Sequence, residues 1–308
     1  QMLRLGYDKK LSIGIICAAG ALATLIPPSV VLIVYGLAAQ VSITKLFAAS
    51  AIPGIMLASL YITYILVRVR LRPEMAPIYD IPETGLPFFQ RLKFLKGILL
   101  PAALIFTVLG VICSGIATVT EAAAIGAVGA LVVAGIRKEL NWTMARDAMR
   151  QTVLTVGSII WLVLGAVSLI GIYNRIGGGD FLRGVLTGLD MAPIMIVLVM
   201  MLIVMVLGTF LEWIAIIFIT VPIFAPVVVD LGFDPVWFGV LFAMNIQIYY
   251  LSPPFGPACF FLKSVAPKVV ELQDIFVAVL PFIALQAIGL ALVLFIPEIA
   301  MWLPNMLD

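Results

Sequence analysis

Nine runs of fifteen or more residues contain no Asp, Glu, Lys or Arg: 11–44, 46–67, 97–120, 122–136, 151–174, 191–211, 213–229, 235–262 and 275–297. About 20 apolar residues cross a bilayer core as a helix, and lipid offers no partner to a free backbone amide. A chain built of such runs therefore folds as helices inside a membrane. Composition agrees, with 64% hydrophobic and 11% charged residues over 308 positions, too little polar surface to cover a globule in water. Histidine is absent, and Cys17, Cys113 and Cys259 lie far apart in apolar runs, which removes His/Cys metal centres and His-based triads. The spans also lack the paired acids an intramembrane enzyme would need. A net charge of +2 provides no basic surface for nucleic acid.

Three runs are wrong for a plain spanning helix. Residues 11–44 are too long and carry Pro27-Pro28 in the middle, while 235–262 carry Pro253-Pro254 and Gly256. Proline removes a backbone donor and clashes with the preceding turn, so both runs are expected to be broken helices. The pair 191–211 and 213–229 is interrupted by Gly208-Thr209 and Glu212, which predicts a re-entrant hairpin over 193–229. Irregular backbone at membrane depth survives only where protein or a water-filled cavity covers it, so these breaks imply an internal cavity. A passive channel would instead need a lined pore.

Positive charge sets the orientation. Arg68, Arg70, Arg72, Arg91, Lys93 and Lys96 flank one loop, and Arg137, Lys138, Arg146 and Arg150 another, so both are expected on the cytoplasmic side. Threading from them places the Gly-rich segment 177–180 outside, lets the hairpin enter from outside, and sends the broken helix 235–265 inward towards Lys263 and Lys268. Arg4, Lys9 and Lys10 put the start of the first broken helix inside. Residues 143–152 read as a short amphipathic helix on the cytoplasmic face.

The two breaks belong to a repeat. Gly6-Tyr7-Asp8 precedes Pro27-Pro28 by 18 residues, and Gly232-Phe233-Asp234 precedes Pro253-Pro254 by the same 18. Further on, Val41-Ser42-Ile43-Thr44-Lys45-Leu46-Phe47 parallels Val270-Glu271-Leu272-Gln273-Asp274-Ile275-Phe276, with a proline following each at 53 and 281. Because the first copy starts inside and the second outside, the expectation is a pair of inverted-topology repeats with a site at their interface, as in secondary transporters. The alternative is a chance match of short apolar patterns. The organisation expected is 1–67 for the end of the first repeat, 68–96 for a cytoplasmic linker and 97–308 for the second repeat. Only five residues precede Gly6, so a further N-terminal segment with a partner hairpin is expected upstream.

Five motifs in order, Gly6-Tyr7-Asp8, Leu25-Ile26-Pro27-Pro28-Ser29, Ile52-Pro53-Gly54, the run from Gly115 through Thr118-Val119-Thr120-Glu121 to Ala124, and Leu251-Ser252-Pro253-Pro254-Phe255-Gly256, resemble the large membrane subunit of tripartite ATP-independent periplasmic (TRAP) transporters. The stretches from Gly208 to Ala215 and from Asp234 to Gly239 resemble the branch labelled for mannitol or chloroaromatic compounds. The sequence departs in having Val119 where that family usually has proline. The resemblance implies an all-α polytopic protein of the bacterial inner membrane that works by an elevator motion and is no enzyme. It also implies sodium as the coupling ion with no other cofactor, and import of a small organic acid. Its partners would be a small four-helix membrane subunit and a periplasmic substrate-binding protein. The alternative within transport is a stand-alone sodium/anion symporter needing no binding protein.

A sodium ion wants several oxygen ligands, which unwound backbone and hydroxyls supply, while half-helix N-termini suit an anion. On that basis Gly208, Thr209, Ser252, Pro253, Asn245, Thr24 and Pro27 are candidate sodium residues, and Ser29 and Thr209 candidate substrate residues. Packing kinks at the Pro-Pro pairs and an interhelical hydrogen bond from Asn245 are the alternatives. Gln247 carries the same ambiguity as Asn245. Glu212 is read either as an ion-coupling group or as a helix cap, Thr118, Thr120 and Glu121 as a cap, and Lys45 and Asp274 as solvated. Trp142, Trp161, Trp237 and Trp302 suit interface belts or packing.

Overall fold

A computed structural model describes residues 2–77, 88–188, 190–254, 256–267 and 269–306. Residues 78–87 of the expected linker, together with Phe255 and Lys268, lie outside the described residues; of Arg91, Lys93 and Lys96 only the helical backbone is described. The described residues form two compact bodies, one made of the chain up to Pro77 together with that from Trp161 onward, the other of the residues between.

In chain order the helices are α1 (Lys9–Leu22), α2 (Val30–Ala39), α3 (Ile43–Leu71), α4 (Phe88–Cys113), α5 (Val119–Ile136) and α6 (Trp142–Arg175). There follow α7 (Gly178–Thr187), α8 (Pro193–Gly208), α9 (Trp213–Asp230), α10 (Pro235–Leu251), α11 (Pro257–Val265) and α12 (Leu272–Phe295). Among the described residues, α3, α5, α6, α9 and α12 are long and apolar enough to cross a membrane. The protein is an all-α, multi-pass membrane protein.

The intermediate body holds α4 and α5, which pack together. Thr118 and Glu121 close a capping box at the start of α5, with the Thr118 amide donating to Glu121 Oε2 at 2.8 Å and the Glu121 amide to Thr118 Oγ1 at 3.3 Å. Small residues then bring α5 close to α4, with Gly129 lying against Leu104. Sequence placed a separate amphipathic helix at 143–152, but α6 runs unbroken from Trp142 to Arg175. No Gly or Pro interrupts 142–156, so nothing stops the helix between its polar start and its apolar body.

Within the larger body, two three-helix units repeat in order and in chemistry. Gly6 (φ +80°) and Gly232 (φ +82°) adopt the left-handed turn that glycine allows without strain. Asp8 and Asp234 follow as N-caps, accepting from the amides of Leu11 at 2.8 Å and Val236 at 2.6 Å. Each cap starts a helix, α1 or α10, that stops ahead of Pro-Pro; both Pro-Pro bonds are cis. After each break comes a short helix, α2 or α11, and then a long one, α3 or α12, capped by Ser42 or Glu271 and carrying an internal proline, Pro53 or Pro281. At 1.5 Å per residue, the 14 residues of α1 and 10 of α2 reach about 21 and 15 Å, and the 17 of α10 and 9 of α11 about 26 and 14 Å. Each piece falls short of a hydrocarbon core of about 30 Å, and the two pieces of each pair together reach across it.

The broken helices run antiparallel. At one end Lys9, at the start of α1, pairs with Asp274 at 2.5 Å and donates to the Val269 carbonyl at 2.8 Å, beyond the end of α11. At the other end the Tyr35 hydroxyl of α2 donates to the carbonyl of Pro235, the first residue of α10, at 2.8 Å. Packing is reciprocal: α1 lies on α12 while α10 lies on α3, and α2 lies on α10 while α11 lies on α1. Asp274 is thus ion-paired and partly buried rather than solvated. Trp237 is buried, donating from Nε1 to the Val293 carbonyl at 3.0 Å, whereas Trp142, Trp161 and Trp302 are exposed.

Candidate functional site: a hairpin tip and two helix breaks

The helical hairpin α8–α9 bridges the two broken helices, since α8 packs on α10 and α9 on α2. At 16 residues α8 is about 24 Å long, so its tip at Thr209–Glu212 stops short of a full crossing. The tip lies against the last turn of α10. A Cβ on Gly208 would fall 2.5 Å from Cγ and Cδ1 of Tyr249, so only glycine permits this approach. Tyr249 stands three residues before Ser252. The breaks are themselves close: Ala21 and Leu251, each just before a break, belong to one buried cluster with Cys17 and Cys259.

The hydroxyls at these positions are turned to local carbonyls. Thr209 Oγ1 donates to Val206 O at 2.7 Å, Ser252 Oγ to Ile248 O at 2.6 Å, and Thr24 Oγ1 to Ala21 O at 2.8 Å. A hydroxyl that spends its proton this way keeps both lone pairs as acceptors, the form in which it can ligate a cation. Ser29 differs. Its hydroxyl donates to the Thr24 carbonyl and accepts from the Leu32 amide, so it pins the first break and caps α2. Asn245 is buried, and its amide donates to the Met201 carbonyl of α8 at 2.7 Å, the interhelical bond foreseen as its alternative role. Glu212 occupies the N-cap position of α9 but makes no side-chain cap bond. Around the breaks and the tip, the C-terminal ends of α1, α8 and α10 offer partial negative charge and the N-terminal ends of α2, α9 and α11 partial positive charge. Such a site can answer both a cation and an anion.

Sequence reasoning passed over Tyr249, whose role against the tip has no local signature. It also passed over Gln286, whose buried side-chain amide lies beside the Tyr61 hydroxyl. Its signal was a lone amide in the apolar run 275–297.

Residues 1–299 match the family described as tripartite ATP-independent periplasmic transporter, DctM component. The chain belongs to the TRAP transporter large-permease family. The C4-dicarboxylate TRAP transporter large permease protein DctM of Pseudomonas aeruginosa is 31% identical over 99% of this chain and 70% of its own length. The isethionate TRAP transporter permease protein DctMQ of Oleidesulfovibrio alaskensis is 32% identical over 98% of this chain and 46% of its own length. The sialic acid TRAP transporter large permease protein SiaM of Vibrio cholerae is 29% identical over 97% and 69%. The chain is a transporter permease subunit and not an enzyme, and the TRAP permease match takes in the hairpin and both breaks.

Proposed function

We propose that this TRAP permease subunit imports a small organic acid across a bacterial inner membrane in symport with sodium, receiving the solute from a periplasmic binding protein and working beside a small four-helix membrane subunit. The observation that carries this reading is the hairpin with one arm on each of two antiparallel broken helices, its tip held against the second break. That arrangement is what a secondary transporter with inverted repeats needs at its binding interface. Thr209 and Ser252 supply side-chain oxygens to sodium, with backbone at Gly208 and Pro253. Thr24 and Pro27 play the matching part in the first break, and the acid group of the solute lies towards Ser29 and Thr209. The hairpin and broken helices move together as an elevator. Relatives named for C4-dicarboxylates, isethionate, sialic acid and ectoine all carry solutes with an acid group, which supports the substrate class.

Reconstituting the permease with its small subunit in proteoliposomes, and adding the binding protein loaded with each of these solutes, tests the reading. Uptake is expected with an inward sodium gradient and to vanish when choline replaces sodium. Uptake independent of sodium would overturn the coupling, and full uptake without the binding protein would favour the stand-alone symporter.

The orientation has its own test. In a cysteine-free background, an impermeant thiol reagent applied to intact cells should label Asp190→Cys and leave Glu74→Cys untouched until the membrane is opened. The reverse pattern would invert the threading.

A further inference from the structure

One groove of this body plays no part in the transport site. It opens where the start of α1, the end of α3 and the first half of α12 meet, and encloses about 270 Å³. Lys10 and Arg68 line it, with no carboxylate among its lining residues. The nearby Asp274 is already held by Lys9 at 2.5 Å. Arg68 stands over the Tyr64 ring with its guanidinium carbon 6.0 Å from the ring centroid, and Tyr64 in turn meets Phe282 edge-on at 5.3 Å. Below this charged mouth the walls turn apolar. Val277 and Leu280 face outward from α12, 41% and 53% exposed, where an acyl chain would run.

Pro281 adds a further handle. It has no N–H to give the carbonyl four residues back, which belongs to Val277, and both residues line the groove. The groove thus combines two cations with an apolar wall, and the Val277 carbonyl beside it lacks its usual donor four residues on. The repeat-related positions hold no such pair, since Lys10 corresponds to the buried Val236 and Arg68 to Pro297. A basic pocket between spanning helices near their ends is the setting in which anionic lipid head groups bind.

We propose that this groove is a binding site for one anionic phospholipid, its phosphate between Lys10 and Arg68, a head-group hydroxyl on the Val277 carbonyl and its chains along Val277 and Leu280. The lipid would sit where α1 of one repeat meets α12 of the other, and so bears on the seam between them.

The test places the permease in phosphatidylcholine nanodiscs with a minor fraction of phosphatidylglycerol and counts retained lipid by native mass spectrometry. Lys10→Gln and Arg68→Gln should each lower phosphatidylglycerol affinity about fivefold, and the double variant about thirtyfold. Arg70→Gln, on the same helix end but outside the groove, should leave it unchanged, and all variants should melt with wild type in pure phosphatidylcholine. Wild-type retention in the double variant would overturn the proposal, as would an equal loss in Arg70→Gln or equal retention of phosphatidylcholine. Inorganic phosphate protecting the protein as well as phosphatidylglycerol does would assign the groove to a free anion and overturn the lipid.

Discussion

Gly208→Ala is expected to cut transport to less than about a tenth of wild type, although Gly→Ala inside a helix ordinarily stabilises by about 0.5–1 kcal/mol. The added methyl would lie 2.5 Å from Cγ and Cδ1 of Tyr249 and 3.0 Å from its Cβ. Cβ is fixed by the α10 backbone, and Tyr249 is only 2% exposed, so its packing leaves the ring no room to swing clear and the tip must lift away from α10. Overpacking of this kind costs about 1–3 kcal/mol, and about 1.4 kcal/mol is tenfold in a rate or an equilibrium. Transport is expected to suffer more than stability because the displaced segment carries Thr209, a residue of the proposed sodium site. Pairing Gly208→Ala with Tyr249→Ala should restore part of the loss, giving a coupling measurable by a double-mutant cycle on initial uptake rates. Normal uptake by the single variant would mean that the tip does not need its seat on α10.

Gly14→Val is expected to lower the melting temperature more than a change at any other glycine of α1. A Cβ there would lie 2.6 Å from the Ala278 carbonyl oxygen and 2.6 Å from Cε2 of Phe282, so α1 and α12 must separate. Backbone gives way less readily than a side chain, and the cost should be at the upper end of about 1–3 kcal/mol. Gly20 is the internal control, because nothing lies within 4 Å of its added Cβ. Gly20→Ala should be neutral or slightly stabilising. Thermal melts in one detergent compare the two variants, and equal melting temperatures would contradict the close contact between α1 and α12.

Much of this architecture is legible because helix punctuation in a membrane is chemically loud. Pro-Pro at matched spacing and Thr-x-x-Glu each mark a backbone requirement that few other residues meet, and the structure places a break or a cap at each; Gly-aromatic-Asp, legible only as a repeated motif, turns out to be a glycine turn followed by an N-cap. What escapes is decided by long-range contact. The unbroken α6 shows that a change from polar to apolar composition ends no helix unless a breaker stands there. Lys9 and Asp274 lie 265 residues apart and only the antiparallel packing joins them. Asn245 illustrates the limit within the site: its sequence position suits an ion ligand and an interhelical donor equally, and only the 2.7 Å bond to Met201 shows the amide in use. Tyr249 has no sequence signal because its importance comes from a glycine 41 residues earlier.

The central claim is that the hairpin tip and the second break share one sodium ion, and a sodium titration of uptake tests it most directly. On the proposed site, Thr209→Ala and Ser252→Ala would each remove one oxygen ligand, a loss taken as comparable to that of a hydrogen bond to a charged group, about 1.5–3 kcal/mol. Each variant should therefore need about tenfold more sodium for half-maximal uptake. Thr220→Ala is the control, since its hydroxyl makes the same type of bond, to Ile216 O at 2.7 Å, on the same hairpin but two turns from the tip. The account predicts displaced sodium curves for Thr209→Ala and Ser252→Ala and a wild-type curve for Thr220→Ala. Wild-type sodium dependence in both site variants, at normal expression, would contradict it.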